Sequence, residues 1–433
     1  MYCKFCGTQL EDGTAVCTNC GETLEKPKKQ RKLPKVKISK KAVLIATASV
    51  AAVAIIVGAV FGLMYLFRPN DINYKDSYTV SDDKIAPDAV VATMGDAQLT
   101  NGQLQIYYWT AVLEFLQQNS SYLSYYGLDY TKPLDQQVYS EEKNLTWQQY
   151  FLEEALNSWQ YYQALYMEAE KNQYDPPEAY DEYIGKLKEA LQESATKYKF
   201  ASVDALLSAD FGAGTTYESY ELHEKIYYLG SLYFSDLSGK IEVTDAQIEE
   251  YFEKNKEAFA AEKITKESGD LVDVRHILIA PEGGTKSEDG KTTTYSEAEW
   301  EACRQKAQDI LDQWLAGEKT EESFAKLAQE KSTDPGSKDK GGLYTYVAKG
   351  KMVKPFDDWC FAEERKTGDY GLVKTDYGYH IMYFVFGEPG WVRYSRSDLI
   401  SERATAQLMD IADQYERVVD YKAIALPVSD LNK

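Results

Sequence analysis

The chain has 433 residues, which is long for one domain and predicts about two to four. Its apolar content of 44% is typical of globular proteins and excludes a wholly disordered chain. The net charge is −21; residues 1–41 carry ten Lys or Arg against four Asp or Glu, so they contribute +6 and the rest −27. This acidic bulk argues against nucleic-acid binding, which requires a basic surface.

The N-terminal motif is a pair of Cys-x-x-Cys-Gly knuckles, one with Cys3 and Cys6 and one with Cys17 and Cys20. Four thiolates at this spacing can close a tetrahedral Zn²⁺ site, and so small a segment needs the metal to fold. Residues 1–24 therefore resemble a zinc ribbon with a structural zinc, and a redox dithiol pair is the alternative. The ribbon is also a candidate binding surface for a cytoplasmic partner.

A basic linker, residues 25–41, leads into residues 42–67, a run of 26 residues without a charge. A helix of this length spans about 39 Å, enough to cross about 30 Å of hydrocarbon with some tilt. The excess of Lys and Arg before the run predicts a cytoplasmic N-terminus and an extracytoplasmic bulk. We therefore expect a single-pass membrane anchor; a cleaved signal peptide is the alternative, and the run is long for one.

The region after this run has the periodicity of helices. Between residues 145 and 172, apolar and aromatic side chains recur at spacings of three and four, which predicts an amphipathic helix. Thr100 with Gln103 and Thr244 with Gln247 have the spacing of a capping box, so a helix is expected to begin after each Thr. Many of the 35 Tyr lie in this region and suit a peptide-binding surface; ordinary packing is the alternative.

The pattern changes twice more along the chain. Residues 262–389 alternate strand and helix patterns and are expected to form a separate α+β domain. Residues 397–426 again have a helical pattern, so the chain is expected to return to the helical body. The prediction is a multidomain protein, with an all-α domain formed by residues 68–261 and completed by residues 390–433.

The α+β region contains a series of short motifs that together carry a resemblance. They are VDVRHILI with His276, DPGSKDKGG with Asp334, KGKMVKPF with Met352 and Phe356, and KTDYGYHIMYF with His380. Their order resembles the parvulin family of peptidyl-prolyl isomerases over residues 270–387. The resemblance implies a four-stranded sheet with helices outside, and rotation about peptide bonds that precede proline, without a cofactor. With the helices on either side, the order also resembles the PrsA and SurA class of extracytoplasmic foldases.

Rotation about a peptide bond faces a barrier of about 18–20 kcal/mol and requires no covalent step. A site can accelerate it with an apolar slot for the proline ring and a few polar groups near the preceding carbonyl. The resemblance implies that Met352 and Phe356 line this slot, and a helical segment would align them. Phe361 is expected to pack beneath them.

The resemblance also assigns polar positions near the slot. His276 and His380 match the family's histidine pair, for which a hydrogen-bonded core pair and a proton-transfer role both stay open. Asp334 matches an acidic or thiol position near the carbonyl, with an ordinary loop cap as the alternative. Thr375 and Tyr377 match positions that line the floor of the site, and Thr375 is the stronger candidate for a hydrogen bond.

One segment departs from the family pattern. The family often has Gly-Gly-Asp-Leu-Gly where this chain has GGLYT at residues 341–345, so Tyr344 takes the apolar wall position and the slot is expected to be narrower or more polar. The leading hypothesis is a membrane-anchored extracytoplasmic foldase that isomerises X–Pro bonds in unfolded or partly folded client proteins. A holdase chaperone with an inactive isomerase domain is the alternative. The remaining cysteines, Cys303 and Cys360, are expected to be buried thiols, with a disulfide between them as the alternative.

Overall fold

The computed structural model describes residues 78–81, 85–120, 123, 125–129, 131–140, 144–287 and 292–428. The predicted zinc ribbon, basic linker and uncharged run of residues 42–67 lie outside the described residues. Within those described ranges, no helix is long and apolar enough to cross a bilayer. The same ranges contain no group of His, Cys, Asp and Glu side chains that could hold a metal ion.

The first part of the described chain forms a helical body. Its helices are α1 (Asn101–Asn119), α2 (Trp147–Lys171), α3 (Glu178–Lys197), α4 (Val203–Phe211), α5 (Tyr217–Gly239), α6 (Asp245–Lys254) and α7 (Lys256–Ala261). Its strands are β1 (Thr79–Val80), β2 (Val90–Met94), β3 (Ala97–Thr100), β4 (Val138–Ser140) and β5 (Leu145–Thr146). The predicted capping boxes are confirmed: Thr100 and Thr244 each accept a hydrogen bond from the backbone N–H three residues later.

The core of the body lies where α2 packs against α1 and α5. The amphipathic face predicted for α2 is confirmed, since Trp147, Phe151 and Trp159 are almost fully buried there. Burial of such a side chain contributes about 1.5–3 kcal/mol, so this face holds the helices together.

The α+β domain follows directly. Its elements are β6 (Asp270–Ile279), β7 (Thr285–Lys286), β8 (Thr293–Thr294), α8 (Glu297–Ala316), α9 (Glu321–Lys331), β9 (Leu343–Ala348), α10 (Lys354–Cys360), β10 (Tyr370–Thr375) and β11 (Gly378–Pro389). The main sheet has the order β10-β11-β6-β9 and is antiparallel throughout. The predicted four-stranded sheet is confirmed.

The two faces of this sheet carry different helices because side chains alternate along each strand. Ile277 and Ile381 point to the face covered by α8 and α9, where Cys303 and Phe324 are buried. The opposite face is covered by α10. Cys303 and Cys360 are both free and buried, as predicted.

The chain then returns to the body through α11 (Gly390–Asp413), β12 (Arg417–Val419) and β13 (Ala425–Leu426). The prediction of a helix over residues 397–426 is therefore wrong beyond Asp413, and the all-α prediction for the body is wrong as well. β12 joins β2 and β3 in a three-stranded sheet, and β13 pairs with β1. The open edge of β2 offers backbone hydrogen bonds that override the local helical pattern, and β-branched Val418 and Val419 favour the strand.

α11 begins at the residue after β11, so no linker separates the sheet from this helix. Its first turns are tied to the sheet by Arg393, which donates to the Asp273 carboxylate of β6 (Nη2 to Oδ2, 2.6 Å). The Arg393 guanidinium also lies 4.0 Å from the ring centroid of Tyr346 in β9. Trp391 packs on Phe252 of α6, with ring centroids 5.1 Å apart.

Candidate active site

The two histidines predicted from the sequence meet on the α10 face of the sheet. Strand pairing sets His380 opposite Leu278 and Met382 opposite His276, so the two imidazoles are diagonal neighbours on one face. Their Nδ1 atoms are 2.9 Å apart, and the rings are nearly parallel with centroids 5.1 Å apart. Both side chains are buried, with 3% of His276 and 5% of His380 exposed.

Asp334 is brought to this pair by the loop after α9. Beyond Arg275, β6 is no longer paired with β9, and Leu278 bonds instead to this loop: its N–H to Ser332 Oγ (3.1 Å) and its C=O to the Thr333 N–H (2.8 Å). The loop thereby holds Asp334 Oδ2 at 3.0 Å from His276 Nε2. Asp334 is thus part of the histidine network and not merely a loop cap.

Asp334 Oδ2 collects further hydrogen bonds. Ser337 Oγ donates to it at 2.6 Å and the Tyr344 hydroxyl at 3.0 Å. Oδ1 accepts from the Gly336 N–H at 3.3 Å. Burial alone raises the pKa of Asp334, but the bonds from Ser337, Gly336 and His276 outweigh it and lower the pKa to about 2. The group is a carboxylate at neutral pH.

Burial keeps both imidazoles neutral. It lowers the pKa of His276 against the opposing effect of Asp334. Burial, with His276 as the second cause, lowers the pKa of His380 to about 3. A neutral imidazole carries one proton and one lone pair, so each ring donates once and accepts once.

These protonation states fix the direction of each hydrogen bond in the network. Because the Asp334 carboxylate only accepts, His276 Nε2 carries the proton and His276 Nδ1 accepts from His380 Nδ1–H. His380 Nε2 must then accept, and Thr375 Oγ1 donates to it at 2.8 Å. The result is one directed chain from Thr375 through His380 and His276 to Asp334. Weakly basic, fully hydrogen-bonded imidazoles favour the structural reading of the pair over a proton-transfer role.

The side chains predicted to form the apolar slot lie next to the histidines, on and around α10. The Phe356 ring is 3% exposed and lies edge-on to both imidazoles, with centroids 5.4 Å from each. Met352, Trp359 and Phe361 are partly buried against the same cluster. Cys360 lies in it too, and burial raises the pKa of its thiol to about 12, so it is no nucleophile at neutral pH.

Two details of the predicted slot are wrong. Met352 precedes α10, which begins at Lys354 because Pro355 fits only the first turn of a helix. The helical alignment of Met352 with Phe356 is therefore absent, although both side chains join one cluster. Tyr377 does not line the floor: it lies in the turn between β10 and β11, and 65% of it is exposed. Only its backbone N–H reaches the network, donating to Thr375 Oγ1 at 3.1 Å.

The Tyr344 side chain lies beside the histidine pair. Its ring centroid lies 5.3 Å from that of His276, and its hydroxyl is bonded to Asp334. Sequence reasoning missed Ser337, which lies 2.9 Å from His276 Nε2 as well as on Asp334. Its position three residues after Asp334, beyond Pro335 and Gly336, was a usable signal, since such turns fold the hydroxyl back onto the carboxylate.

The comparisons with known proteins agree with this geometry. The family model described as the PPIC-type PPIASE domain matches residues 260–385, which include both histidines, Asp334 and α10. These residues form a PpiC-type peptidyl-prolyl isomerase (PPIase) domain. The match includes only the last two residues of α7 from the helical body, and it ends within β11.

Relatives whose names refer to protein folding match a larger part of the chain than the family model does. Foldase protein PrsA of Geobacillus kaustophilus is 35% identical over 164 residues, covering 34% of this chain and 56% of the relative. Foldase protein PrsA of Caldanaerobacter subterraneus is 28% identical over 195 residues, covering 44% of this chain and 51% of the relative. The chain spans about half the length of the curated relatives it matches. The crystal structure of PrsA from Bacillus subtilis is 20% identical, covers 65% of this chain and 93% of its own, and has a TM-score of 0.30.

Proposed function

We propose that this protein is a membrane-anchored extracytoplasmic foldase that isomerises X–Pro peptide bonds in unfolded or partly folded client proteins. The observation that carries the isomerase part is the Thr375–His380–His276–Asp334 chain beside the Phe356 slot, within the PPIase domain. Two relatives are named Foldase protein PrsA, and this name supports a role in protein folding.

The proposed reaction depends more on the apolar slot than on proton transfer. A proline ring placed against Phe356 and Met352 removes its amide from water, and an amide in an apolar site loses part of the solvation that favours its planar, charge-separated form. The neutral imidazoles suit this because they place no charge on the apolar side. The hydrogen bonds of His276 hold the wall of the slot in one position, which limits the motion of the bound chain.

The rest of the proposal comes from the sequence. Residues 42–67 would anchor the protein in a membrane, with the N-terminus in the cytoplasm. Residues 1–24 would bind one structural Zn²⁺ through their four cysteines and present a surface to a cytoplasmic partner. The helical body, rich in Tyr, would bind clients while the PPIase domain acts on them.

One observation favours the alternative of a holdase with an inactive isomerase domain. Tyr344 occupies the wall of the slot, and its hydroxyl is bonded to Asp334 Oδ2, which already accepts from His276 and Ser337. All the acceptor positions of this oxygen are therefore used within the protein. On this alternative the body would protect clients and the slot would bind proline without accelerating rotation.

Exchange NMR of cis/trans interconversion in an Ala-Pro and a Glu-Pro peptide distinguishes the active isomerase from the holdase. Catalytic amounts of the full-length protein are expected to accelerate exchange, and Met352→Ala to lose most of the acceleration. Met409→Ala is the matched control, because Met409 is similarly half-buried but lies on α11 in the body. No acceleration by the folded wild-type protein would rule out the isomerase and leave the holdase.

A further inference from the structure

A bulge interrupts β9 beside the candidate active site. β9 pairs with β6 at Tyr344 and again from Val347 onward, and between these positions Thr345 and Tyr346 both lie opposite Asp273. Two residues that face one shift the alternation of side chains along the strand by one position. Tyr344 and Val347 are three positions apart, yet both pack in the cluster that contains side chains of α10. The bulge therefore places both of them on the active-site face of the sheet.

The bulge is held by the Asp273 side chain of β6. A bulge leaves one residue outside the regular ladder, and here the Tyr346 N–H donates to Asp273 Oδ1 at 2.9 Å. Tyr346 has a φ of +56°, a left-handed conformation that residues with a Cβ seldom adopt. Such a conformation persists only when its surroundings fix it. The course of β9 at this point therefore depends on the Asp273 carboxylate.

Arg393 of α11 supplies the cation that this carboxylate requires. Asp273 is 9% exposed, and a carboxylate this buried is costly to leave unpaired. Arg393 Nη2 lies 2.6 Å from Asp273 Oδ2, and its guanidinium lies 4.0 Å from the centroid of the Tyr346 ring. One side chain of α11 therefore contacts both the carboxylate that holds the bulge and the bulged residue itself.

This cation comes from outside the PPIase match. The match ends at residue 385, and α11 continues into the helical body, where Leu408 and Ala412 are buried in the core. At the other end of the connection, Tyr344 lies two residues before Tyr346, and its hydroxyl is 3.0 Å from Asp334 Oδ2. The contacts thus run without a gap from a helix of the body to a side chain of the candidate site.

We infer that Arg393 is a positioning residue for prolyl isomerisation. Through Asp273 and the bulge of β9, it holds Tyr344 at the site beside His276. Without the cation, the buried carboxylate gains by turning toward water, which breaks its hydrogen bond to the bulge. A shift of about 1 Å in a group that positions the substrate can slow an enzyme substantially, so the effect is expected at the site and not only at Arg393. The inference rests on the proposed function and gives a helix of the body a part in shaping the site.

The test uses the full-length protein with Arg393→Met, and with Arg396→Met as the matched control. Arg396 lies on the same helix and forms an ion pair with Glu388, so its substitution removes a similar link whose partner lies on β11 and not on β6 or β9. The variants are studied without denaturant, and circular dichroism confirms that each is folded. Deuterium uptake is measured in peptides from β9, with the opposite edge strand β10 as the internal reference. Exchange NMR with an Ala-Pro peptide over a concentration series gives kcat and KM.

Arg393→Met is expected to raise deuterium uptake in β9 about tenfold relative to β10, and to lower kcat about fivefold with a smaller change in KM. Arg396→Met should leave both quantities at their wild-type values. Adding Asp273→Asn to Arg393→Met removes the unpaired charge and keeps an oxygen that accepts from the Tyr346 N–H, so most of the kcat should return. Equal uptake in β9, or equal kcat, in Arg393→Met and Arg396→Met would overturn the inference.

Two double variants decide the question if Arg393→Met alone does not fold. Arg393→Met combined with Asp273→Asn or with Asp273→Ala lacks the ion pair and leaves neither charge buried, but only the Asn side chain can accept from the Tyr346 N–H. The double variant with Ala is expected to have a kcat about fivefold below that of the double variant with Asn. Equal kcat values in the two would overturn the inference.

The two measurements also separate this inference from the proposed function. If the wild-type protein accelerates prolyl exchange and Arg393→Met keeps its kcat, only the inference fails. If the wild-type protein does not accelerate prolyl exchange, the isomerase part of the proposed function fails, and deuterium uptake in β9 alone decides whether Arg393 holds the bulge.

Discussion

Lowering the pH from 7.5 to 5.0 is expected to destabilise the PPIase domain through its histidine pair. The folded-state pKa of His380 is about 3. In the unfolded chain the pKa is about 6.5, so between these values the unfolded state binds a proton that the folded state does not. Stability attributable to His380 therefore falls as the pH drops below about 6.5 and levels off near pH 3. The pKa of His276 is lowered as well, so it contributes in the same direction.

The magnitude follows from proton binding by the unfolded state. At pH 5.0 a group with a pKa of about 6.5 gains about 2 kcal/mol from protonation, against less than about 0.1 kcal/mol at pH 7.5. His380 therefore accounts for a loss of about 2 kcal/mol in the free energy of unfolding, and His276 contributes in the same direction. Carboxylates elsewhere also titrate near pH 5, so the total change in one protein does not isolate the pair.

The assay compares wild type with His380→Gln, which keeps a polar side chain and removes the titrating group. Each protein is equilibrated in urea at pH 7.5 and pH 5.0, and a deuterium pulse at one fixed pH reports the folded fraction in peptides from β6 and β11. The pH-dependent loss should be about 2 kcal/mol smaller in His380→Gln than in wild type. Equal losses in the two proteins would refute the assignment of a neutral, buried His380.

Two substitutions test the backbone and the ion pair that support the site. Gly342 has a φ of +75°, and an added Cβ would lie 2.2 Å from the His276 carbonyl oxygen, so Gly342→Ala should cost at least about 3 kcal/mol or prevent folding of the domain. Gly185→Ala in α3 is the control: its Cβ meets nothing within 4 Å, and thermal unfolding should show no loss and a gain of up to about 1 kcal/mol. Arg393→Met leaves Asp273 buried without its cation and should cost about 3 kcal/mol, while the double variant with Asp273→Asn should recover part of that loss. A double variant as unstable as Arg393→Met in chemical denaturation would contradict the ion-pair explanation.

Local signals predicted much of the architecture because they depend on near neighbours. The capping Thr residues, the apolar face of α2 and the strands around His276 and His380 follow from spacing alone. The convergence of His276, His380 and Asp334 came from the family resemblance, since residues 104 and 58 positions apart in sequence are joined only by the sheet and the loop after α9.

The errors have physical reasons that local patterns do not contain. β12 and β13 form because distant strands β2 and β1 offer open edges, which no nearby residue reveals. Tyr377 was misplaced by matching motif positions, although Asp376-Tyr377-Gly378 has the composition of a turn and ends the strand alternation. The alignment of Met352 with Phe356 depended on a helix that includes Met352, whereas Pro355 restricts the helix start to the residues just before it.

The most direct test of the central claim is the refolding of a protein whose slow phase is limited by prolyl isomerisation. Full-length wild-type protein in catalytic amounts is predicted to accelerate that phase, with the acceleration lost in Met352→Ala and kept in Met409→Ala. An unchanged slow phase in the presence of folded wild-type protein would contradict the account of this chain as a prolyl-isomerising foldase.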